Sequence, residues 1–203
     1  MNIFAIDPNP VLCARALCDL RLNKMILEQA QILCTAYRYW FPDTYAIEFE
    51  NILYKVTHEN HPCSIWLRRD FANYQWGVDY FNAMLDEREH RGFAKHLTGI
   101  KLRPVFNKPP QMQYELDKID FSFNSSNLYP STGCVFTDYK LCLVNKWLQD
   151  KREPKWTLRA PPPFIMYDLK TERFNIQSLD IFAGTIMQRK ILVNHPLYEV
   201  NDA

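Results

Sequence analysis

The chain has 203 residues and only five glycines. It holds no GxGxxG turn and no Walker loop, so a glycine-rich cradle for phosphate is not expected. HExxH and the nucleophile elbow are also missing, which sets aside two common hydrolase sites. The net charge is +1. A protein that grips nucleic acid by bulk charge is therefore not expected, although a local basic patch stays open. No stretch reaches the ~18 uninterrupted apolar residues of a membrane span, so no membrane partner is expected. The opening MNIFAIDPNP has no basic n-region and no long apolar run, and is not read as a signal peptide.

Six cysteines, at 13, 18, 34, 63, 134 and 142, form no CxxC pair. They read as reduced, buried, small apolar residues of a cytoplasmic protein. His58, His61 and Cys63 have an HxxHxC spacing, but Pro62 splits the group and no second ligand pair stands at a defined distance. No metal and no cofactor is expected. His61 reads as a helix cap or a pocket residue.

Apolar residues make up 47% of the chain and aromatics 14%, ample for a core. The expected fold is mainly α: a compact bundle of about three long helices, with a short extended N-terminal arm and a small C-terminal hairpin. Asn9 as N-cap and Pro10 at the first helical position start helix one, which runs to about Tyr39 with a kink or break. Residues 47–54 read as a short helix. A second long helix runs from Pro62 to about His90, with Gly92 as its stop. Residues 101–130 read as loop with short pieces of structure, and a third helix spans about Thr137 to Gln149. Pro161 to Pro163 form an extended connector. The segments flanking DLKTE resemble a hairpin. These marks divide the chain into residues 1–160 and a Pro-linked extension, 161–203.

Chemistry is suggested first by CDLRLNKMILEQAQ. Arg21, Lys24, Glu28 and Gln31 fall three, four and three residues apart, on one helical stripe. A solvated face with a Lys24–Glu28 pair is the plain reading. The neighbours Leu20, Leu22, Met25, Ile26 and Leu27 are apolar, however, and a deeply buried helix would turn that stripe toward a cleft. A carboxylate beside cations in a cleft suits acid–base work. Arg69 and Asn73 stand among Trp66 and Trp76, where they fit either a core or a phosphate or base contact. Lys155 and Trp156, within Lys151 to Arg159, fit either a solvated surface or a stacking platform for a base.

In order along the chain these residues resemble the pyrimidine-dimer DNA glycosylases of the phage endonuclease type and their bacterial relatives. In that family an Asp-x-His pattern precedes the catalytic glutamate by seven residues. Asp19-Leu20-Arg21 precedes Glu28 at that spacing, with arginine in the histidine's place. The family's central helix is similar to HPCSIWLRRDFANYQW, with Glu87 and Arg91-Gly92 at its close. Its basic, aromatic C-terminal patch resembles Arg152-Glu153-Pro154-Lys155-Trp156. The resemblance covers about residues 1–160, and implies a helical, monomeric, metal-free enzyme acting on DNA with damaged or modified pyrimidines. The nucleophile it implies is the N-terminal amine, on Met1 or on Asn2. Glu28 would be the catalytic carboxylate. Arg21, Lys24, His61, Arg69, Asn73, Lys155 and Trp156 would hold DNA. The location would be cytoplasmic, in the host if the chain is viral. Two other readings stay open: a pyrimidine-modifying transferase or hydrolase using the same cleft, and a non-enzymatic phage protein that blocks a host factor through its C-terminal extension.

Overall fold

The computed structural model describes residues 2–41, 49–107, 119, 121, 131, 133–162, 164, 166–168 and 173–175. The fold is mainly helical, with helices α1 (Pro10–Ala16), α2 (Asp19–Trp40), α3 (Pro62–Arg69), α4 (Phe71–His90), α5 (Leu97–Phe106) and α6 (Val135–Gln149). Strands β1 (Met166–Asp168) and β2 (Arg173–Asn175) pair antiparallel, with Met166 opposite Asn175. None of the helices among the described residues is long and apolar enough to cross a membrane.

Local capping chemistry explains several helix starts. Asn9 Oδ1 accepts from Val11 N at 2.9 Å, with Pro10 at the first helical position. His61 Nδ1 accepts from Cys63 N at 3.2 Å and starts α3. Gly92 adopts φ +77, the left-handed geometry that ends α4.

The first two expected long helices are each broken in two. Leu17 and Cys18, both extended at ψ 133° and 162°, separate α1 from α2. Asp70, at ψ 142°, ends α3 and caps α4 by accepting from Ala72 N at 2.7 Å. A third correction concerns residues 101–106, which lie in α5 rather than in a loop. Pro104 sits inside that helix and cannot donate to the Ile100 carbonyl. The helix persists because Leu102, Val105 and Phe106 are buried, with Phe106 edge-on to Phe81 at 5.5 Å. Residues 49–53 form a turn, not a helix; the rest of the helix expected at 47–54 lies partly outside the described residues.

α4 is the central element, packed by α1, α2, α3 and α5. Gly77 lets α2 approach it closely, since a Cβ there would stand 2.5 Å from Leu67 Cδ2 and 3.0 Å from Gln29 Nε2. Gln29, fully buried in α2, donates to the Gly77 carbonyl at 3.1 Å. The N-terminal arm is buried as well, from Asn2 to Ile6. Its Phe4 packs on Tyr139 of α6, ring centroids 6.4 Å apart.

Candidate active site

The stripe on α2 is real and continues one turn further, to Thr35. The helix buries Leu22, Met25, Ile26, Gln29, Ile32 and Leu33 on one side of the stripe, while Leu20 and Leu27, expected inside, are exposed on the other. Glu28 is left with its side chain 18% exposed, and its Oε1 stands 3.5 Å from Lys24 Nζ, on a side chain 59% exposed. Arg21 takes a different partner. Its guanidinium holds both oxygens of Asp150, the residue that ends α6.

A loop folds back over the far end of the stripe. Thr35 Oγ1 lies 3.0 Å from both the Gln31 and Thr57 carbonyls and accepts from Thr57 N at 3.1 Å. Arg38 Nε donates to the Tyr54 carbonyl at 3.0 Å, and Tyr54 N donates to Cys34 Sγ at 3.4 Å. These bonds fasten residues 54–57 to α2. The chain then turns at His58, whose φ of 49° is left-handed, and His61 N donates to the His58 carbonyl at 2.9 Å. The two imidazoles meet edge to face at 6.5 Å. Burial lowers the His61 pKa below its ordinary 6.5, the positive amino end and His58 lower it further, and Glu28 opposes them. His61 is therefore within electrostatic reach of Glu28, and it is held neutral.

Asn2 is fixed at the same end of the molecule. It is buried, accepts from Phe4 N at 3.3 Å, and its Nδ2 stands 3.5 Å from Cys142 Sγ in α6. The Cys142 thiol is raised by burial first, and feels Arg21, Asn2 and Cys63 as well. α2, α3 and the arm thus converge on one place along α6. Met1 lies outside the described residues.

The structure therefore pairs Lys24 with Glu28, sets His61 within electrostatic reach of Glu28, and holds Asn2 against Cys142 of α6. Other candidates lie elsewhere. Asn73 is wholly buried, and its Nδ2 donates to the Trp66 carbonyl at 3.0 Å across the α3–α4 break. It is a core residue and does not face DNA. Trp156 is also interior: its Nε1 donates to the Ala16 carbonyl at 3.0 Å and its ring stands edge-on to Trp147 at 5.2 Å. With the face covered, it offers no stacking platform. Arg21, committed to Asp150, ties α6 to α2 and does not present its charge to a phosphate. Arg69 and Lys155 are exposed.

Sequence reasoning missed a buried ionic cluster at the α1–α2 junction. Arg91 donates to Glu87 Oε1 at 2.8 Å, to Asp19 Oδ1 at 2.9 Å, and to the carbonyls of Leu17 and Arg15 at 2.9 and 3.1 Å. Arg159 clasps both Glu87 oxygens, and the Thr157 hydroxyl donates to Asp19 at 2.7 Å. A Glu-to-Arg step of four residues beside Met84 and Leu85 was the available signal. His58 was considered only as a metal ligand. Among the described residues no group of three His, Cys, Asp or Glu could hold a metal ion. All six cysteines are free, five of them buried; Cys134 is exposed, against expectation. Burial pushes the Cys13 and Cys34 thiols up to about 12, which leaves them inert.

In chemical terms these residues offer a largely buried carboxylate, one exposed ammonium and a neutral imidazole. That set can stabilise a cation, move a proton and donate to an oxygen. Among protein families, the model described as pyrimidine dimer DNA glycosylase matches residues 1–100, a span that includes the stripe, the histidine loop and Arg91. No curated protein and no solved structure matches the chain.

Proposed function

With its first 100 residues matching the pyrimidine dimer DNA glycosylases, we propose that the chain is a DNA glycosylase with lyase activity that removes damaged pyrimidines through its N-terminal amine. The observation that carries this reading is Glu28: a largely buried carboxylate in the matched segment, sharing His61 as an electrostatic neighbour with the chain's amino end. Residues 1–160 form the DNA-acting unit in this reading, because Thr157 and Arg159 are fastened to Asp19 and Glu87. Residues 161–203 are an appendage to it.

The amine, on Met1 or on Asn2 if Met1 is removed, is a nucleophile when uncharged, and its ordinary pKa is about 8. Its lone pair forms a bond to C1′ of the damaged nucleotide as the bond from C1′ to the base breaks. The new ammonium passes a proton to Glu28. Glu28 returns that proton to O4′ as the sugar ring opens, which leaves an imine between protein and C1′. Loss of a C2′ proton then expels the 3′ phosphate and cuts the strand. Asn2 keeps the amine in register, since its buried side chain fixes the residue next to the terminus or bearing it. The exposed ammonium groups of Lys24 and Lys155 and the Arg69 guanidinium contact backbone phosphates.

Borohydride reduction of the imine tests the reading. Wild-type protein mixed with duplex DNA bearing one pyrimidine dimer should yield a covalent adduct at its N-terminal residue. Glu28→Gln should lower cleavage of the C1′–base bond by about 10³-fold or more. Cleavage of that bond without any adduct would mean hydrolysis or transfer in the same cleft, and no action on DNA at all would leave a binding protein.

A further inference from the structure

We propose that His61 is a further catalytic residue, whose Nε2–H donates to the departing base while its Nδ1 stays on the start of α3. This rests on the glycosylase reading above and names the group that receives the leaving charge.

The cap fixes the tautomer. His61 Nδ1 accepts from Cys63 N, so it carries no proton, and the ring's single proton belongs to Nε2 on its opposite edge. The donor is also held in place before any substrate arrives. Its backbone N–H is tied to the His58 carbonyl, and the loop before it is tied to Thr35 on the Glu28 stripe. His58 keeps a left-handed backbone in a residue with a side chain, a strained geometry that recurs where a loop must present a group in one position. The charged and titratable groups that act on the imidazole are the amino end, His58 and Glu28. Burial, the amino end and His58 all disfavour a charged ring, and Glu28 alone favours one.

A neutral imidazole does not surrender its proton; it polarises. When the amine bonds to C1′, the electron pair of the broken C1′–N bond spreads over the pyrimidine to a carbonyl oxygen. Nε2–H donates to that oxygen and keeps its hydrogen. The base then takes a proton from water. A fixed donor aimed at developing negative charge is worth on the order of 10²–10³ in rate.

The role separates from a structural one because it serves base departure and nothing later. His61→Ser retains a capping oxygen and removes the Nε2–H. On duplex DNA with one pyrimidine dimer, where the freed base stays joined to its neighbour, cleavage of the C1′–base bond should fall on the order of 10²-fold. On duplex DNA with one abasic site, where no base leaves, borohydride trapping should stay within about twofold of wild type. His61→Asn keeps the cap and supplies an amide N–H, so part of the lost C1′–base cleavage should return. An equal loss on both substrates, or no loss on either, overturns the proposal. If wild type traps on neither DNA, the glycosylase reading itself fails and takes this role with it. If wild type traps on both and His61→Ser matches it on both, only His61's role fails.

Discussion

Two charged clusters share helix α2 and differ in burial and in pairing. At the α1–α2 junction, Arg91 and Glu87 are almost fully buried, and their polar atoms are matched by Asp19, Arg159 and backbone carbonyls. Two turns along α2, Glu28 keeps 18% of its side chain exposed and its partner is the exposed end of Lys24 at 3.5 Å. The first cluster is saturated and has no capacity left for a ligand. The second is loosely paired and can exchange partners when a substrate enters. Burial with complete pairing marks charge used to hold the chain; partial burial with incomplete pairing marks charge available for chemistry.

Exchanging stability for activity between the clusters tests that contrast. Removing Arg91 leaves Glu87, Asp19 and two helix-end carbonyls without their donor in the interior. Arg91→Met should cost about 3–5 kcal/mol in chemical denaturation, whereas Glu28→Gln should leave stability within about 0.5 kcal/mol while lowering C1′–base cleavage by about 10³-fold. Acid sharpens the same contrast. Burial alone would raise the Glu87 carboxyl, but hydrogen bonds from Arg159 and Arg91 outweigh it and hold the group below 4.5. A carboxyl depressed in the fold adds stability that is complete above its unfolded value and lost as pH falls through the folded one. Thermal melts should therefore hold steady from neutral pH and fall away below about pH 4.5, and Glu87→Gln should flatten that limb while lowering its plateau. The smallest effect belongs to Lys24. Lys24→Met should shift stability by no more than about 0.5 kcal/mol, yet lower the slope of log DNA affinity against log salt by about one.

The sequence made part of this visible. The helical stripe, the Asn9 and His61 caps, the stop at Gly92 and the hairpin pairing all depend on residues a few positions apart, and local spacing expresses them directly. Lys24, Glu28 and His61 emerged from the same reading. Asn73 and Trp156 were misplaced because an amide or an indole in a mixed stretch looks the same whether its partner is a nucleotide or a backbone carbonyl 7 or 140 positions away. The helix through Pro104 was missed for a similar reason, as burial of Leu102 and Phe106 outweighs a local breaker.

By itself the sequence determined where α1 and α3 begin and that α2 carries a polar stripe, since both follow from short-range hydrogen bonding and a 3.6-residue period. Only the tertiary structure decided where helix one breaks. At Leu17–Cys18 the last carbonyls of α1 need donors, and these come from Arg91 and Trp156, 74 and 140 positions away. Nothing near residue 17 encodes those partners. They exist only once α4 and the 150–160 segment have closed on the junction, and that closure sets the end of α2 that carries Glu28.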